Sequence, residues 1–359
     1  SIRHMVDVDD LLACPPLDTP HNVRPADTGF IQYTSGSTGR PKGVVLSHDN
    51  LVCNIHSIGQ AVEVSSKDVV VNWCPLYHDM GLIGSLLFCV YWQLPLVLMS
   101  PMAFLARPHR WLRAIHDFRG TLSPAPNFGY ALAVKKMTAK QREGLDLSCW
   151  RAALSGAEPV NLQTVRTFQE AFRPHGFRAN AVLPVYGLAE ASLAVTFPTV
   201  GEPVNAMEVN RAALANGRLV AAEPGPESMT VVGVGHTLPG QTVAVLDESA
   251  QPLGDGEVGH IVAAGRSVMQ GYFRDDVATR EVLSPDFLWT GDIGFMVAGE
   301  LFVTGRAKDM LIVRGQNYYA EDLEQAVEAV DGVRGGGCVA FGVYDDAEAR
   351  DKVVVVCET

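Results

Sequence analysis

The densest chemistry in the chain lies in one short run, Tyr33-Thr34-Ser35-Gly36-Ser37-Thr38-Gly39-Arg40-Pro41-Lys42-Gly43. Gly36, Gly39 and Gly43 remove side-chain bulk and admit left-handed backbone, so consecutive amides can turn toward one anion. Thr34, Ser35, Ser37 and Thr38 add hydroxyl donors, and Lys42 and Arg40 add positive charge. Such a loop suits a triphosphate or a pyrophosphate. It is not a Walker A loop, which needs Gly directly before Lys, because Pro41 stands there.

Short apolar runs and helical patterns must position this loop. Phe30-Ile31-Gln32-Tyr33 predicts a strand running into it, and Gly43-Val44-Val45-Leu46 predicts the return strand. Ser47-His48-Asp49-Asn50 offers N-cap side chains to a helix through Val52 and Ile55. Strands are expected at 69–73 and 150–154, the second ending in Ser155-Gly156, with a helix over 111–116. The alternation predicts an α/β fold with a mostly parallel, helix-covered sheet. From about residue 228, short strands separated by Pro239-Gly240 and Gly254-Asp255-Gly256 predict a β-rich subdomain reaching 305. A strand at 310–313, a helix over about 320–330 and strands at 339–343 and 352–357 predict the start of a small α+β C-terminal domain, 306–359. Residues 6–305 then form a partial large domain, and Ser1-Ile2-Arg3-His4-Met5 resembles a cloning scar.

Composition narrows the function. Lys and Arg number 28 against 40 Asp and Glu, a formal charge of −12, which argues against a nucleic-acid surface. The seven cysteines are scattered without CxxC spacing, so neither zinc nor a redox dithiol is expected, only buried thiols in a reducing cytoplasm. Residues 81–99 carry no charge and are long enough for a membrane span, but Gln93 and Pro95 predict a turn that splits them into a helix and the strand Leu96-Val97-Leu98-Met99. A cytoplasmic protein without a span is the expectation.

The phosphate loop resembles the signature loop of the adenylate-forming superfamily, which includes acyl-CoA synthetases, fatty acyl-AMP ligases, non-ribosomal adenylation domains and firefly luciferase. Three further stretches match its motifs in order: Tyr186-Gly187-Leu188-Ala189-Glu190, Trp289-Thr290-Gly291-Asp292 and Gly305-Arg306-Ala307-Lys308-Asp309. The resemblance implies attack of a carboxylate on the α-phosphorus of ATP with loss of pyrophosphate. Both reactants are anionic, so the site must neutralise charge and align them, and Mg²⁺ with oxygen ligands is the usual means. Glu190 is the implied metal carboxylate, with Thr34 beside the phosphates. Nucleotide contacts are implied for Thr34, Ser35, Gly36, Ser37, Thr38, Gly39 and Lys42. They are implied too for Ser155, Gly156, Ala157 and Glu158 along the adenine, and for Tyr186, Gly187, Leu188 and Ala189. Asp292 is implied to take the ribose hydroxyls, Arg306 to reach the ribose or α-phosphate, and Lys308 to be the hinge. Thr34, Lys42, His78, Glu190 and Arg306 form the implied catalytic set. His78 could act as a base, but an ionised carboxylate needs none, so it is assigned to positioning.

Several stretches resemble the fatty acyl-AMP ligase branch: Tyr77-His78-Asp79-Met80-Gly81-Leu82-Ile83-Gly84, Ser123-Pro124-Ala125-Pro126-Asn127-Phe128, Ser155-Gly156-Ala157-Glu158-Pro159-Val160 and Arg314-Gly315-Gln316-Asn317-Tyr318-Tyr319. Residues 197–230, with a helix-like piece at 209–215, resemble that branch's insertion, which is held to hinder CoA transfer. The implied partners are a fatty acid and an acyl carrier protein, such as one of a polyketide or non-ribosomal peptide synthase. Met80, Leu82, Ile83, Phe104, Asn127, Phe128 and Leu193 are candidate linings of an acyl tunnel. An acyl-CoA synthetase and a catalytically impaired adenylate-binding module are the alternatives. The family's late catalytic lysine is not matched by any residue here, so this chain alone is expected to adenylate slowly or not at all.

Overall fold

The structure, a computed structural model, describes residues 14–15, 19, 22–34, 41–313, 316–328, 330–334, 336–345 and 350–359. Its centre is a five-stranded sheet in the order Leu96–Leu98, Val70–Asn72, Leu122–Ala125, Ala152–Ser155, Val182–Pro184, parallel throughout. Side chains alternate across a strand, and the burial follows: Val70, Ala152 and Leu183 enter one core, Val71, Ala153 and Val182 the other. Helix His48–Ala61 and helix Phe88–Trp92 cover the first face. Helices His109–Asp117, Asn127–Lys136 and Leu162–Phe172 cover the second with an aromatic cluster of Trp111, Tyr130, Trp150 and Phe168. Trp111 is wholly buried, and its indole N–H donates to Ser123 Oγ at 2.8 Å. Truncating such a ring costs about 3–5 kcal/mol.

The chain reverses its order of strand addition between Val70–Asn72 and Leu122–Ala125. In such a sheet the ligand crevice opens beyond the carboxyl ends of the strands at that switch point. His78 follows the first of these strands, Asn127 the second, Gly156 the strand Ala152–Ser155, and Tyr186 the strand Val182–Pro184.

Strands Thr28–Thr34 and Lys42–Ser47 lie outside the parallel sheet and form an antiparallel sheet with Gly271–Tyr272. Too few residues separate them for the crossover that parallel pairing needs. Ser47 caps the helix that follows, its side chain accepting from Asn50 N–H while Asn50 returns a bond to the Ser47 amide.

The β-rich part is one antiparallel sheet in the order Gln241–Leu246, Gly259–Gly265, Leu288–Val297, Glu300–Arg306, Ser228–Thr237, Ala194–Phe197, Tyr186–Gly187. It therefore recruits strands well before residue 228. The stretch expected to be an insertion contributes strand Ala206–Asn210, paired to Ser228–Thr237, and helix Arg211–Ala215. Val209 belongs to that strand rather than to the helix, and it packs with Phe295 and Phe302. Gln93 ends helix Phe88–Trp92 in left-handed backbone, and Leu96–Leu98 follows as a strand. Among the described residues no helix is long and apolar enough to cross a membrane.

Beyond Arg306, Met310–Val313 pairs with Gln316–Tyr319, a partner strand the hydrophobic pattern does not announce. Helix Ala320–Glu328 precedes a hairpin of Cys338–Asp345 and Arg350–Cys357. Cys14 and Cys357 are exposed, contrary to the expectation of uniformly buried thiols.

Candidate active site

The loop carrying His78 is held from below. Asn72, wholly buried, accepts from the Cys74 amide at 2.9 Å and donates to the Cys74 carbonyl at 3.0 Å. Gln32, on the strand leading to the phosphate loop, donates to the Tyr77 carbonyl at 2.9 Å. The Asp79 carboxylate lies 2.7 Å from both His78 Nδ1 and the Met80 amide, whereas that amide is 3.3 Å from His78 Nδ1. The shorter contacts make Asp79 the acceptor of both, so Nδ1 carries the proton and Nε2 is left for a ligand. The hydrogen bond to Asp79 raises the His78 pKa against the opposing effect of burial. Burial pushes the Cys74 thiol beneath this loop up to about 12, which leaves it inert.

The chain crosses from the parallel to the antiparallel sheet at Tyr186. Its hydroxyl donates to Asp292 Oδ2 at 2.6 Å, and Arg306 Nε lies 3.4 Å from Asp292 Oδ1. Asp292 and Arg306 are register partners on neighbouring strands, which is why two motifs far apart in sequence meet. Burial raises the Asp292 pKa, Glu190 adds to the rise, and Tyr186 with Arg306 opposes it. Burial and the Asp292 charge push the Tyr186 phenol up.

Glu190 sits in a short turn pinned by its own carbonyl, which accepts from the Met269 amide at 2.8 Å. Ser192 then adopts φ 70, ψ −61, and Leu193 N–H bonds to Ala191 O at 2.9 Å, a strained γ-turn of the kind concentrated at functional sites. The Glu190 carboxylate accepts from Tyr272 OH at 2.7 Å, and Lys42 Nζ stands 4.8 Å from the Tyr272 ring. Burial and Glu190 push the Tyr272 phenol up, so it remains a donor.

A cavity of about 630 Å³ gathers Thr34, Lys42, His78, Met80, Ala157, Tyr186, Gly187, Leu188, Ala189, Glu190, Asp292, Arg306 and Lys308. The same cavity is also lined by Ile58, Gly84, Pro124, Leu154, Leu193 and Phe197. A second cavity, also about 630 Å³, shares Ala157, Tyr186, Gly187, Asp292 and Arg306 and extends past Glu158 and Val160 to Thr230. Each cavity is in the size range of small-molecule sites.

Ser35, Gly36, Ser37, Thr38 and Gly39 lie outside the described residues. Ser155 and Gly156 stay behind the cavity walls, and Ser155 is wholly buried. Ala157 takes φ 67, which turns Glu158 outward. Glu158 Oε1 accepts the Phe128 N–H at 2.6 Å. It thereby caps helix Asn127–Lys136, whose preceding Pro126 makes no side-chain cap. Asn127 and Phe128 are not part of either cavity wall; Phe128 meets Trp73 edge-on at 5.8 Å. Of the proposed tunnel residues, Ile83 and Phe104 are wholly buried core, and Phe104 stacks on Trp73 at 3.8 Å. Leu82 is half-buried outside both walls. Tyr272 and His260 line the main cavity and were not anticipated, and Trp289 and Thr290, which line it too, were read only as part of a motif. The signal for Tyr272 was faint, a single aromatic after Gly271.

A family model described as AMP-binding enzyme matches residues 5–273. The medium-chain-fatty-acid–[acyl-carrier-protein] ligase TtuA of Teredinibacter turnerae is 37% identical over 94% of this chain and 55% of its own length. The 4-hydroxyphenylalkanoate adenylyltransferase of Mycobacterium tuberculosis is 38% identical over 98% of this chain and 58% of its own. A structure from a study of fatty acyl-adenylate ligases from E. coli and L. pneumophila superposes with TM-score 0.90 at 37% identity, covering 98% of this chain and 64% of that one. The fatty acyl-adenylate ligase from L. pneumophila in complex with acyl adenylate and pyrophosphate gives TM-score 0.79 at 36% identity over 94% and 61%. The chain thus has the adenylate-forming fold and spans little more than half the length of the curated relatives it matches.

Proposed function

The chain belongs to the AMP-binding enzyme family, and on that premise we propose that the protein activates a fatty acid with ATP, forming acyl-AMP and pyrophosphate, and passes the acyl group to an acyl carrier protein. The observation that carries this reading is one cavity lined both by Lys42, Glu190, Asp292 and Arg306 and by the apolar Ile58, Leu154, Leu193 and Phe197. An acyl adenylate needs both, joined at one phosphate. The relatives named as a fatty-acid ligase and as an acyl-adenylate ligase support the substrate class.

In this reading Asp292 accepts the ribose hydroxyls. Its carboxylate is desolvated and in contact with Tyr186, so donors from a ligand replace hydration that the fold has removed. Lys42 and Arg306 attract the phosphates, and the His78 ring, held at Nδ1 by Asp79, positions the acid's carboxylate. No base is needed, because the acid arrives ionised. Mg²⁺ takes few protein oxygens and several from water and phosphate. Glu190 and Thr34, on the wall of one cavity, offer oxygens of that class, and no described group of three acidic, His or Cys residues could cage a metal by itself. These two would hold it with the phosphates, where it would neutralise charge on the leaving pyrophosphate.

Calorimetric titration with a non-hydrolysable dodecanoyl-adenylate analogue tests the proposal. Saturable one-to-one binding that Asp292→Ala weakens supports it. Absence of binding by the folded wild-type chain overturns it.

A further inference from the structure

The fold brings two of the scattered cysteines face to face. Cys338 opens one strand of the last hairpin, Cys357 closes the other, and they are directly opposed in antiparallel register. The Glu358 amide bonds to the Gly337 carbonyl at 2.9 Å, one residue outside the pair on each strand. That position marks 338 and 357 as a non-hydrogen-bonded pair, the closer of the two antiparallel kinds, with Cα atoms about 4.5 Å apart. The separation falls within the Cα range of about 4.4–6.8 Å that a disulfide spans. Directly opposed residues share a face of the hairpin, so the two thiols stand on the same side of it. Cys357 is exposed and Cys338 is buried beside it, so an oxidant can reach one sulfur while the other waits as its partner.

We infer that Cys338 and Cys357 form a redox-modification site, a dithiol that hydrogen peroxide converts to an intrachain disulfide. The Cys357 thiolate attacks one peroxide oxygen, breaking the O–O bond and giving a sulfenic acid and water. The Cys338 sulfur then attacks the Cys357 sulfur, forming the S–S bond and expelling the second oxygen as water. The two thiols lose two electrons and two protons, and peroxide is reduced to two waters. A thiol reductant such as dithiothreitol reverses the step.

The bond would clasp the open end of the hairpin. That end is already tied by Arg334 to Glu358 at 2.5 Å, and the same hairpin meets helix Ala320–Glu328 through Ala340 N–H to Glu324 Oε1 at 2.8 Å. Ala340, Val353 and Val355 pack with Leu311, Ala320 and Leu323. Oxidation therefore stiffens the packing of the hairpin on that helix, and the inference stands whether or not the adenylation reading holds.

The test is peroxide treatment of the fully reduced chain, followed by thiol titration under denaturant, intact mass and a non-reducing peptide map. Free thiols are expected to fall by two from seven, with a monomer lighter by two hydrogens and a peptide pair joined through Cys338 and Cys357. Dithiothreitol restores all seven. Cys357→Ser, an exposed and well-tolerated change, should form no intrachain bond, and Cys338→Ser should behave alike; if the latter does not fold, Cys357→Ser decides alone. Cross-linked dimers through Cys357, overoxidation of Cys357 without a bond, or loss of two thiols that persists in Cys357→Ser would overturn the inference.

Discussion

Gly81 lies at the foot of the His78 loop, and a Cβ there would sit 2.2 Å from the Pro75 carbonyl oxygen and 2.7 Å from that of Cys74. Ordinary contact begins at 3.4 Å, so Gly81→Ala requires a retreat of about 1.2 Å. Both obstacles are backbone and cannot rotate away. The retreat is opposed by the Asn72 brace on Cys74 and by the Gln32 bond to Tyr77. Overpacking of this kind costs about 1–3 kcal/mol of stability. Its effect on the site is larger, because the loop carries His78, and a misplacement of about 1 Å can cost on the order of 10²-fold. The proposed ribose contact at Asp292 is on another sheet and should be spared. Calorimetry of the variant is therefore expected to give AMP affinity near wild type, with affinity for the dodecanoyl-adenylate analogue reduced roughly 10- to 100-fold. Unchanged affinity for the analogue together with an unchanged melting temperature would refute the reasoning, since the loop would then have absorbed the methyl group without moving His78.

Tyr272→Phe removes the donor to Glu190. A hydrogen bond to a charged group contributes about 1.5–3 kcal/mol, so Mg²⁺-dependent ATP affinity should fall at least about tenfold while AMP affinity without metal holds. Asp292→Asn should melt no lower than wild type at neutral pH, although it binds AMP poorly. The Asp292 pKa is raised by burial, so its ionisation costs stability as pH climbs above 3.8, and the amide avoids that cost; a clearly lower melting temperature would count against this. His78 has its pKa raised above 6.5 by Asp79. The stabilisation is full below pH 6.5 and fades as pH rises through the raised value, so the melting-temperature gap between wild type and Asp79→Asn should shrink as pH climbs above 6.5. Arg151→Ala strands the buried Asp68 carboxylate, now held by Arg151 Nε and NH2 at 2.8 Å each, and should cost about 3–5 kcal/mol in denaturant melts.

Candidate ligating residues were legible in the sequence, and their supports were hidden. Residue type and spacing are enough to suggest a phosphate role for the loop that ends in Lys42, the motif resemblance implies ribose and metal roles for Asp292 and Glu190, and local pattern is enough to place Ser47 as an N-cap. Pairing between distant strands is not local. Nothing near Tyr272 says that it faces Glu190, 82 residues away, and nothing near Asp292 says that Arg306 is its register partner. Glu158 resembles an adenine-loop residue and lines a cavity, and only the fold shows that its carboxylate also caps the helix after Pro126. Ile83 and Phe104 show the opposite ambiguity, because an apolar residue suits a tunnel wall and a core equally. Cys338 and Cys357 read as scattered thiols until a hairpin folds them together.

The most direct test is competition at the junction of the two cavities, with AMP, dodecanoate and the dodecanoyl-adenylate analogue titrated singly and against one another. A single composite site predicts that the analogue displaces both AMP and dodecanoate one-to-one and binds more tightly than either. Analogue and AMP bound independently, or dodecanoate left in place by the analogue, would contradict the assignment of the polar and apolar linings to one acyl-adenylate site.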